Sequence, residues 1–455
     1  MAEFRVIGPS EWLPDARRAC QRSVNLYMAR GEGAGEDRAL MLASCPGLEV
    51  FLTITGKTLR GSYVADDRWF VVAGNGLYEI STTYTLKGTL LSSEGYVCIA
   101  HGRDQLVLVD GTNGYTLSLT TNTFGRITDA DWRGSEWVDE LDGYFVFVDP
   151  NTDQFYLSAI DDARTLDALD FSSADAQPDN IVTFRVHKRE LFFFGGVSTE
   201  VWVNSGGADF PFVRYNSTPI DVGCVGLRAA VTTIDSLFFV GKTTHGQGYV
   251  YEMRGHQPVR VSTTSVESCI ALTTDISAVS MWSYHVAGSE FVAVNAPGMP
   301  TTWVYDLSTQ QWHERGELVD GEWTPSRADM VTHLDGSHYA VDGDVIYRMT
   351  GASIAGTPIT RERTLPHLVT PSLAPVAYRG LELACTTGDG GQITLEISND
   401  GGHTFFSPLL RSLGAVGRRM QRIRWLGLGT SFDRVFRIRC TADVDLTIYS
   451  GVIDA

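Results

Sequence analysis

RWFVVAG (68–74), QLVLVDG (105–111), GYFVFVD (143–149), ELFFFGG (190–196), SLFFVGK (236–242), SEFVAVN (289–295) and SHYAVDG (337–343) are seven versions of one short apolar ribbon. Measured between Trp69, Leu106, Phe145, Phe192, Phe238, Phe291 and Tyr339, the spacing runs from 37 to 53 residues and averages 45. A repeat of about 40–50 residues built only from strands is the period of a β-propeller blade. The ribbons are apolar nearly throughout, as strands of sheets buried on both faces are. The strands that follow alternate instead: in TTWVYD (301–306), Trp303 and Tyr305 share one face, Val304 and Asp306 the other. The fold expected is all-β, a propeller of seven blades (six if one unit is recruited elsewhere) with a C-terminal β-sandwich-like domain.

Outward from the ribbons, the chain divides into four parts. Residues 58–350 hold the repeat. Residues 1–57 lie outside it and read as an interface arm. The strand-like PGLEVFLTI (46–54) within them is available to close the ring, because an open array would leave a bare sheet edge. Residues 351–365 read as a polar linker. From 366 to 455 a fresh strand pattern begins, with GLELACTT (380–387), QRIRWLGL (421–428) and RVFRIRCTA (434–442), enough for a small sandwich. DDARTLDALDFSSADAQPDN (161–180), helical in pattern at 163–169, reads as an acidic surface insertion.

Composition narrows the function. With 43 % hydrophobic and 20 % charged residues the chain is a folded one. No stretch reaches the roughly 20 apolar residues of a membrane helix, and MAEFRVIGPSEW lacks the apolar core of a secretory signal, so synthesis in a cytoplasm is expected. Seven dispersed cysteines without CxxC spacing read as buried thiols, not a zinc site. The net charge is −18, yet residues 351–455 carry 11 Arg and no Lys against 9 acids, a net +2 that leaves −20 on residues 1–350. An acidic body of this kind argues against wrapping DNA through its phosphates.

No catalytic set stands out: GxSxG, HExxH and the phosphate loop GxxxxGK[ST] are missing. His333 and His338, and Thr244-His245, read as loop histidines. Asp161, Asp162, Asp167 and Asp170 lack the alternate spacing of a calcium loop. SNDGGHTF (398–405) matches an Asp-box hairpin, with Phe405 where Trp is usual. No catalytic, cofactor or metal residue is assigned. The candidate interface residues are basic. Arg17, Arg18 and Arg22 lie in the N-terminal arm. In RRMQRIRW (418–425) and RVFRIRC (434–440), Arg422 and Arg424, and Arg437 and Arg439, face away from the apolar side; pairing of these strands would make a four-guanidinium stripe that docks onto an acidic neighbour.

QRSVNLY (21–27) with Pro-Gly-Leu (46–48), LDGYFVF (141–147), DALDFSSADAQPDNIV (167–182), STEVWVNSGGADFPFVR (198–214), DVGC (221–224), YEMRGHQPVRVST (251–263) and TTWVYDLSTQQWHER (301–315) follow in order and without large gaps. Over residues 15–350 the chain resembles the packaged-DNA stabilisation proteins, the tail hub or nozzle family, of short-tailed bacteriophages. The resemblance implies a structural virion protein, assembled in the host bacterial cytoplasm. It would be a hexameric ring below the tail adaptor that retains the packaged genome, seats a needle or plug and carries tailspikes or fibres. Genomic DNA would pass through the channel without specific binding, and no membrane insertion is implied. The alternative is a propeller glycosidase, depolymerase or receptor-binding tail protein, which needs carboxylates converging from several blades.

Overall fold

Asp66-Asp67, Asp142-Gly143, Lys188-Arg189, Ala287-Gly288 and Asp335-Gly336 each have both φ angles positive, and each is the two-residue turn leading into an apolar ribbon. That geometry twists a hairpin in the same sense as its strands, so first and second strands pair without splaying. The computed structural model describes residues 6–13, 19–31, 40–207, 209–215, 218–242, 248–369 and 374–454. All seven ribbons are second strands of separate antiparallel sheets, and seven such sheets form the ring.

Blade 1 is Leu59–Ala65, Arg68–Ala73, Gly76–Ile80 and Tyr84–Thr89, with Trp69 opposite Val64 and Ile80. Blades 2 to 5 repeat this order, and blade 6 ends in Gln311–Val319. A seven-residue helix, Thr264–Ile270, lies between blades 5 and 6. Blade 7 supplies only Met330–Leu334, Ser337–Asp342 and Val345–Arg348 from its own stretch of chain; its outer strand is Glu49–Thr53, with Ile346 opposite Leu52. Innermost strands touch their neighbours all the way round, Met330–Leu334 lying beside Leu59–Ala65. There Ser62 Oγ meets Thr332 Oγ1 at 2.6 Å, and Trp69 packs on Tyr339 at 4.6 Å between ring centroids. Between successive blades the ribbon side chains interdigitate into dry layers, such as Phe70, Val72, Leu106 and Leu108 between blades 1 and 2.

The remaining strands form a sandwich. One sheet runs Arg22–Val24, Arg361–Thr364, Asp433–Cys440, Gln392–Ser398, Phe406–Ser412; the other runs Leu26–Arg30, Leu40–Ser44, Thr447–Asp454, Gly380–Thr386, Met420–Leu426. Leu42, Leu383, Leu395, Trp425, Phe436 and Ile448 fill the space between them. Arg22–Val24 also lies parallel to Gln311–Val319, Val24 opposite Glu314, so the outer strand of blade 6 and the sandwich belong to one continuous sheet.

Three sequence expectations change here. The N-terminal segment, expected as an interface arm with a strand able to close the propeller, closes it with Glu49–Thr53, but Arg22–Val24, Leu26–Arg30 and Leu40–Ser44 build the sandwich of their own chain. The expected linker 351–365 contains Arg361–Thr364, a fully buried strand whose polar side chains hid it. The expected acidic insertion is the twelve-residue outer strand Asp162–Ser173 of blade 3; Ala163 and Leu166 pack inward at register shifts, and Leu169 is 79 % exposed, so the helical spacing was coincidental.

Residues 361–455 without 6–45 lack Arg22–Val24, Leu26–Arg30 and Leu40–Ser44 and expose strand edges in both sheets. That fragment alone is expected to aggregate or stay unfolded, and fusion to residues 6–45 to restore a cooperative melt by circular dichroism. A cooperative melt of the short fragment would contradict this topology.

Candidate functional site

The strand Arg22–Val24 lies between two partners and carries the charge that fixes the junction. Arg22 Nε donates to Glu314 Oε1 at 3.1 Å, and its Nη2 to Oε2. Ser10 Oγ and Thr301 Oγ1 donate to the same carboxylate, the latter at 2.7 Å. The guanidinium lies over Trp12 at 4.7 Å and near Trp323 at 5.8 Å. Asn25, at φ 56°, takes the left-handed turn that an Asn tolerates, and its side-chain amide donates to Gly316 O and Thr360 O, both at 2.8 Å. One side chain thus ties blade 6 to the sandwich. Arg363, 1 % exposed, ties in the N-terminal segment by donating to Val6 O, Pro9 O and Arg22 O; burial pushes its guanidinium down to about 9.

Of the basic candidates, Arg17 and Arg18 lie outside the described residues. Arg22 is an internal residue, its side chain 12 % exposed. The expected four-guanidinium stripe is absent among the described residues because Met420–Leu426 and Asp433–Cys440 do not pair; they belong to opposite sheets. Alternation named each strand's outward face correctly and said nothing of its neighbour. Arg422 and Arg424 straddle Glu382 at 2.5 and 2.7 Å. Arg437 binds Glu396 at 2.5 Å and lies 3.7 Å over the Phe405 ring, while Arg439 binds Glu362 at 2.8 Å.

Three candidates nevertheless meet. Arg22, Arg437 and Arg439 line a crevice of about 220 Å³ with Trp12, Trp323 and Glu362. Burial alone would raise the Glu362 carboxyl, but the guanidiniums of Arg22, Arg439 and Arg437 outweigh it and hold it below its ordinary value. Arg22 with Glu314 ties sandwich to propeller, while Arg439 with Glu362 and Arg437 with Glu396 brace the sandwich sheet behind it. Sequence reading missed Glu314, Glu362 and Arg363. The only available signal was charged residues flanked by strand formers, which reads equally as a solvated edge.

The inner strands of all seven blades converge on the propeller axis. A cavity of about 320 Å³ remains, lined by residues including Tyr96, Trp137, Asp139, Arg185, Arg228 and Asp329. Arg185 stacks on Trp137 at 3.4 Å and donates to Ala230 O and Leu227 O. Arg228 pairs with Asp329 at 2.9 Å. Asp139 accepts from the amides of Glu140 and Val186, and burial pushes its carboxyl up to about 6. Such an axis leaves no passage for a nucleic-acid duplex through a single subunit.

The Asp-box residues form a hairpin turn between Gln392–Ser398 and Phe406–Ser412. Asp400 accepts from Thr404 N at 2.9 Å and from the hydroxyls of Ser398 and Thr404, which hold its carboxyl below the usual range. His333 and His338 face each other across their hairpin with ring centroids 4.9 Å apart, and burial pushes His338 down to about 4. His245 lies outside the described residues.

Two family models match the chain. One, described as bacteriophage P22 Gp10, beta-propeller, covers residues 22–328; the other, bacteriophage P22 Gp10, beta-sandwich, covers residues 367–455. No curated protein matches. Among solved structures the chain is similar to the extracellular domain of the one-component system BT4673 from B. thetaiotaomicron, at 9 % identity and TM-score 0.46, over 67 % of this chain. It spans 40 % of that domain's length. It is also similar to the N-terminal domain of Nup159, at 10 % identity and TM-score 0.41, over 71 % of this chain and 98 % of that one. A third similar structure is YCF48 bound to D1 peptide, at 13 % identity and TM-score 0.43, over 68 % and 98 %.

Glu314→Ala strands the buried Arg22 guanidinium, and breaking such a pair costs roughly 3–5 kcal/mol. The urea midpoint of the variant should fall accordingly; a midpoint unchanged within error would mean the pair is not what holds the junction. Asp139 behaves oppositely. Its folded-state value near 6 exceeds the ordinary carboxyl value, so the fold gains stability below the unfolded value and loses it as pH rises through 6. Asp139→Asn should therefore stabilise by about 1–2 kcal/mol at pH 7 and change little at pH 4, as melting at the two pH values will show.

Proposed function

The chain belongs to the bacteriophage P22 Gp10 family, the packaged-DNA stabilisation proteins of short-tailed phages, and from that premise we propose that it forms the hub or nozzle ring of the tail. It is a structural phage tail protein and a virion component. The observation that carries the finer reading is the order and extent of the two matched regions, one over the propeller and one over the sandwich, in a chain whose blade 6 and sandwich share one sheet. A body with no flexible joint at that point suits a ring that must bear the pressure of a packaged genome.

On this reading six copies assemble in the host cytoplasm below the adaptor. Their ring seats the needle or plug and carries spikes or fibres. The ejection channel lies between subunits, since each propeller axis holds only a cavity of about 320 Å³ narrowed by Arg185, Trp137 and their neighbours. A net charge of −18 per copy keeps DNA from adhering during ejection, because attractive Lys or Arg contacts would slow its sliding.

Negative-stain images of the purified protein, alone and with tail extract, should show rings of about six subunits, the number the family resemblance implies. Particles assembled without this protein should package the genome and then leak it. Duplex DNA should give no gel shift with the ring at about 150 mM salt, where phosphate-driven binding would still register. Tight binding under those conditions, or particles that keep their genome without the protein, would overturn the reading.

A further inference from the structure

Residues 403–432 contain no carboxylate but carry Arg411, Arg418, Arg419, Arg422 and Arg424, on a chain of net charge −18. This run builds one margin of the sandwich. Phe406–Ser412 ends the first sheet and Met420–Leu426 ends the second, each bonded to one partner strand only. The two edges sit together: Arg411 Nε donates to Arg424 O at 2.9 Å, and Trp425 Nε1 to Leu409 O at 2.7 Å. Glu382 neutralises part of Arg422 and Arg424, whereas no ion pair among the described residues reaches Arg411, Arg418 or Arg419.

Charge on an edge strand is ordinarily protection against unwanted pairing. Here it is mixed with exposed aliphatics that defeat that purpose: Val416 is 81 % exposed, Leu426 69 % and Met420 61 %. A patch combining open edges, unpaired cations and apolar side chains marks an interaction surface. The complementary surface is on the same chain. The outer strand of blade 3, Asp162–Ser173, bonds only to Gln154–Ala159 and carries Asp162, Asp167 and Asp170, more carboxylates than any other outer strand of the ring. Arg164 lies among them and Asp161 beside the strand pairs with Arg103 at 3.5 Å, but no ion pair among the described residues reaches Asp167 or Asp170, and Ile160 and Leu169 stand exposed beside them.

One chain cannot join these two surfaces. Blade 3 lies three places round the ring from blade 6, and the basic margin lies five strand spacings beyond the outer strand of blade 6, about 24 Å away. Each copy offers one of each surface at opposite ends, the arrangement that gives head-to-tail assembly and closes into a ring when the rotation permits. We propose that the Arg-rich margin of the sandwich docks on the acidic outer strand of blade 3 of a second copy, and that this contact builds the ring. The inference rests on the ring reading above and assigns its contact.

All seven native cysteines are buried, so paired cysteines can report the contact cleanly. The full chain carrying both Leu169→Cys and Met420→Cys, mildly oxidised, should give a ladder of dimers and higher species on a non-reducing gel. A mixture of the two single variants should stop at dimer. Asp167→Lys with Asp170→Lys, or Arg418→Asp with Arg419→Asp, should each raise the concentration needed for assembly about tenfold or more by light scattering. All four changes in one chain should restore much of the loss. Rings that form normally with no ladder, and with both reversals silent, would overturn this contact while leaving the ring reading intact. The contact is equally overturned if the Arg reversal abolishes capture of the adaptor or of DNA instead. Copies that never assemble, alone or in tail extract, would sink the ring reading and this contact together.

Discussion

A strand with an unpaired edge invites any other strand to bond with it, and this chain uses its N-terminus to remove three such edges. Blade 7 has only three strands of its own, and Glu49–Thr53 provides the fourth. Gln311–Val319 would end blade 6 in a bare parallel edge, and Arg22–Val24 covers it. Arg361–Thr364 would face solvent, and the same Arg22–Val24 covers that too. Fewer than forty residues therefore hold the ring shut, fasten the sandwich and fill both of its sheets. This segment lies far along the chain from its partners, Glu49 opposite Arg348 in the ring and Leu42 opposite Ile448 in the sandwich, so neither closes until both partners have been made. Contacts of such sequence separation carry a large loop-closure cost and slow folding.

Such a junction could have been apolar. Instead it is ionic, with Glu314 receiving Arg22, Ser10 and Thr301, and with Glu362 receiving Arg439 in the sandwich strands behind it. A buried ion pair gains little over a well-packed apolar one, but it tolerates almost no displacement, since a separated partner is left desolvated and alone. Where an apolar interface could slide by a residue, this one cannot. The electrostatics at the junction thus set position more than they set stability.

Legibility in the sequence follows from how locally each fact is encoded. The ribbons were readable because burial on both faces makes a strand apolar along its whole length. The closing strand was readable because an open ring demands one. What escaped was pairing over long separations. Arg22 meets Glu314 and Ser44 meets Leu446, and neither has any local trace of its partner. Arg361–Thr364 escaped for a second reason, since four polar residues in a row read as surface until their partners are known. Asp162–Ser173 was misread because Ala163, Leu166 and Leu169 happen to follow helical spacing while two register shifts let a strand use it. Arg422, Arg424, Arg437 and Arg439 were placed on the correct faces of the wrong neighbours.

The distribution of charge follows from how narrow the propeller axis is. A propeller with an open axis could conduct DNA itself, and its acidic residues would then belong inside. Arg185 and Trp137 narrow that space, residues 1–350 carry a net −20, and residues 403–432 at one margin of the sandwich carry five Arg and no acid. A protein so divided repels a polyanion over most of its surface and attracts an acidic neighbour at one end. In the ring proposed above, those two tendencies are compatible only if the basic end is covered on assembly, because uncovered arginines beside such a channel would grip a polyanion passing through it.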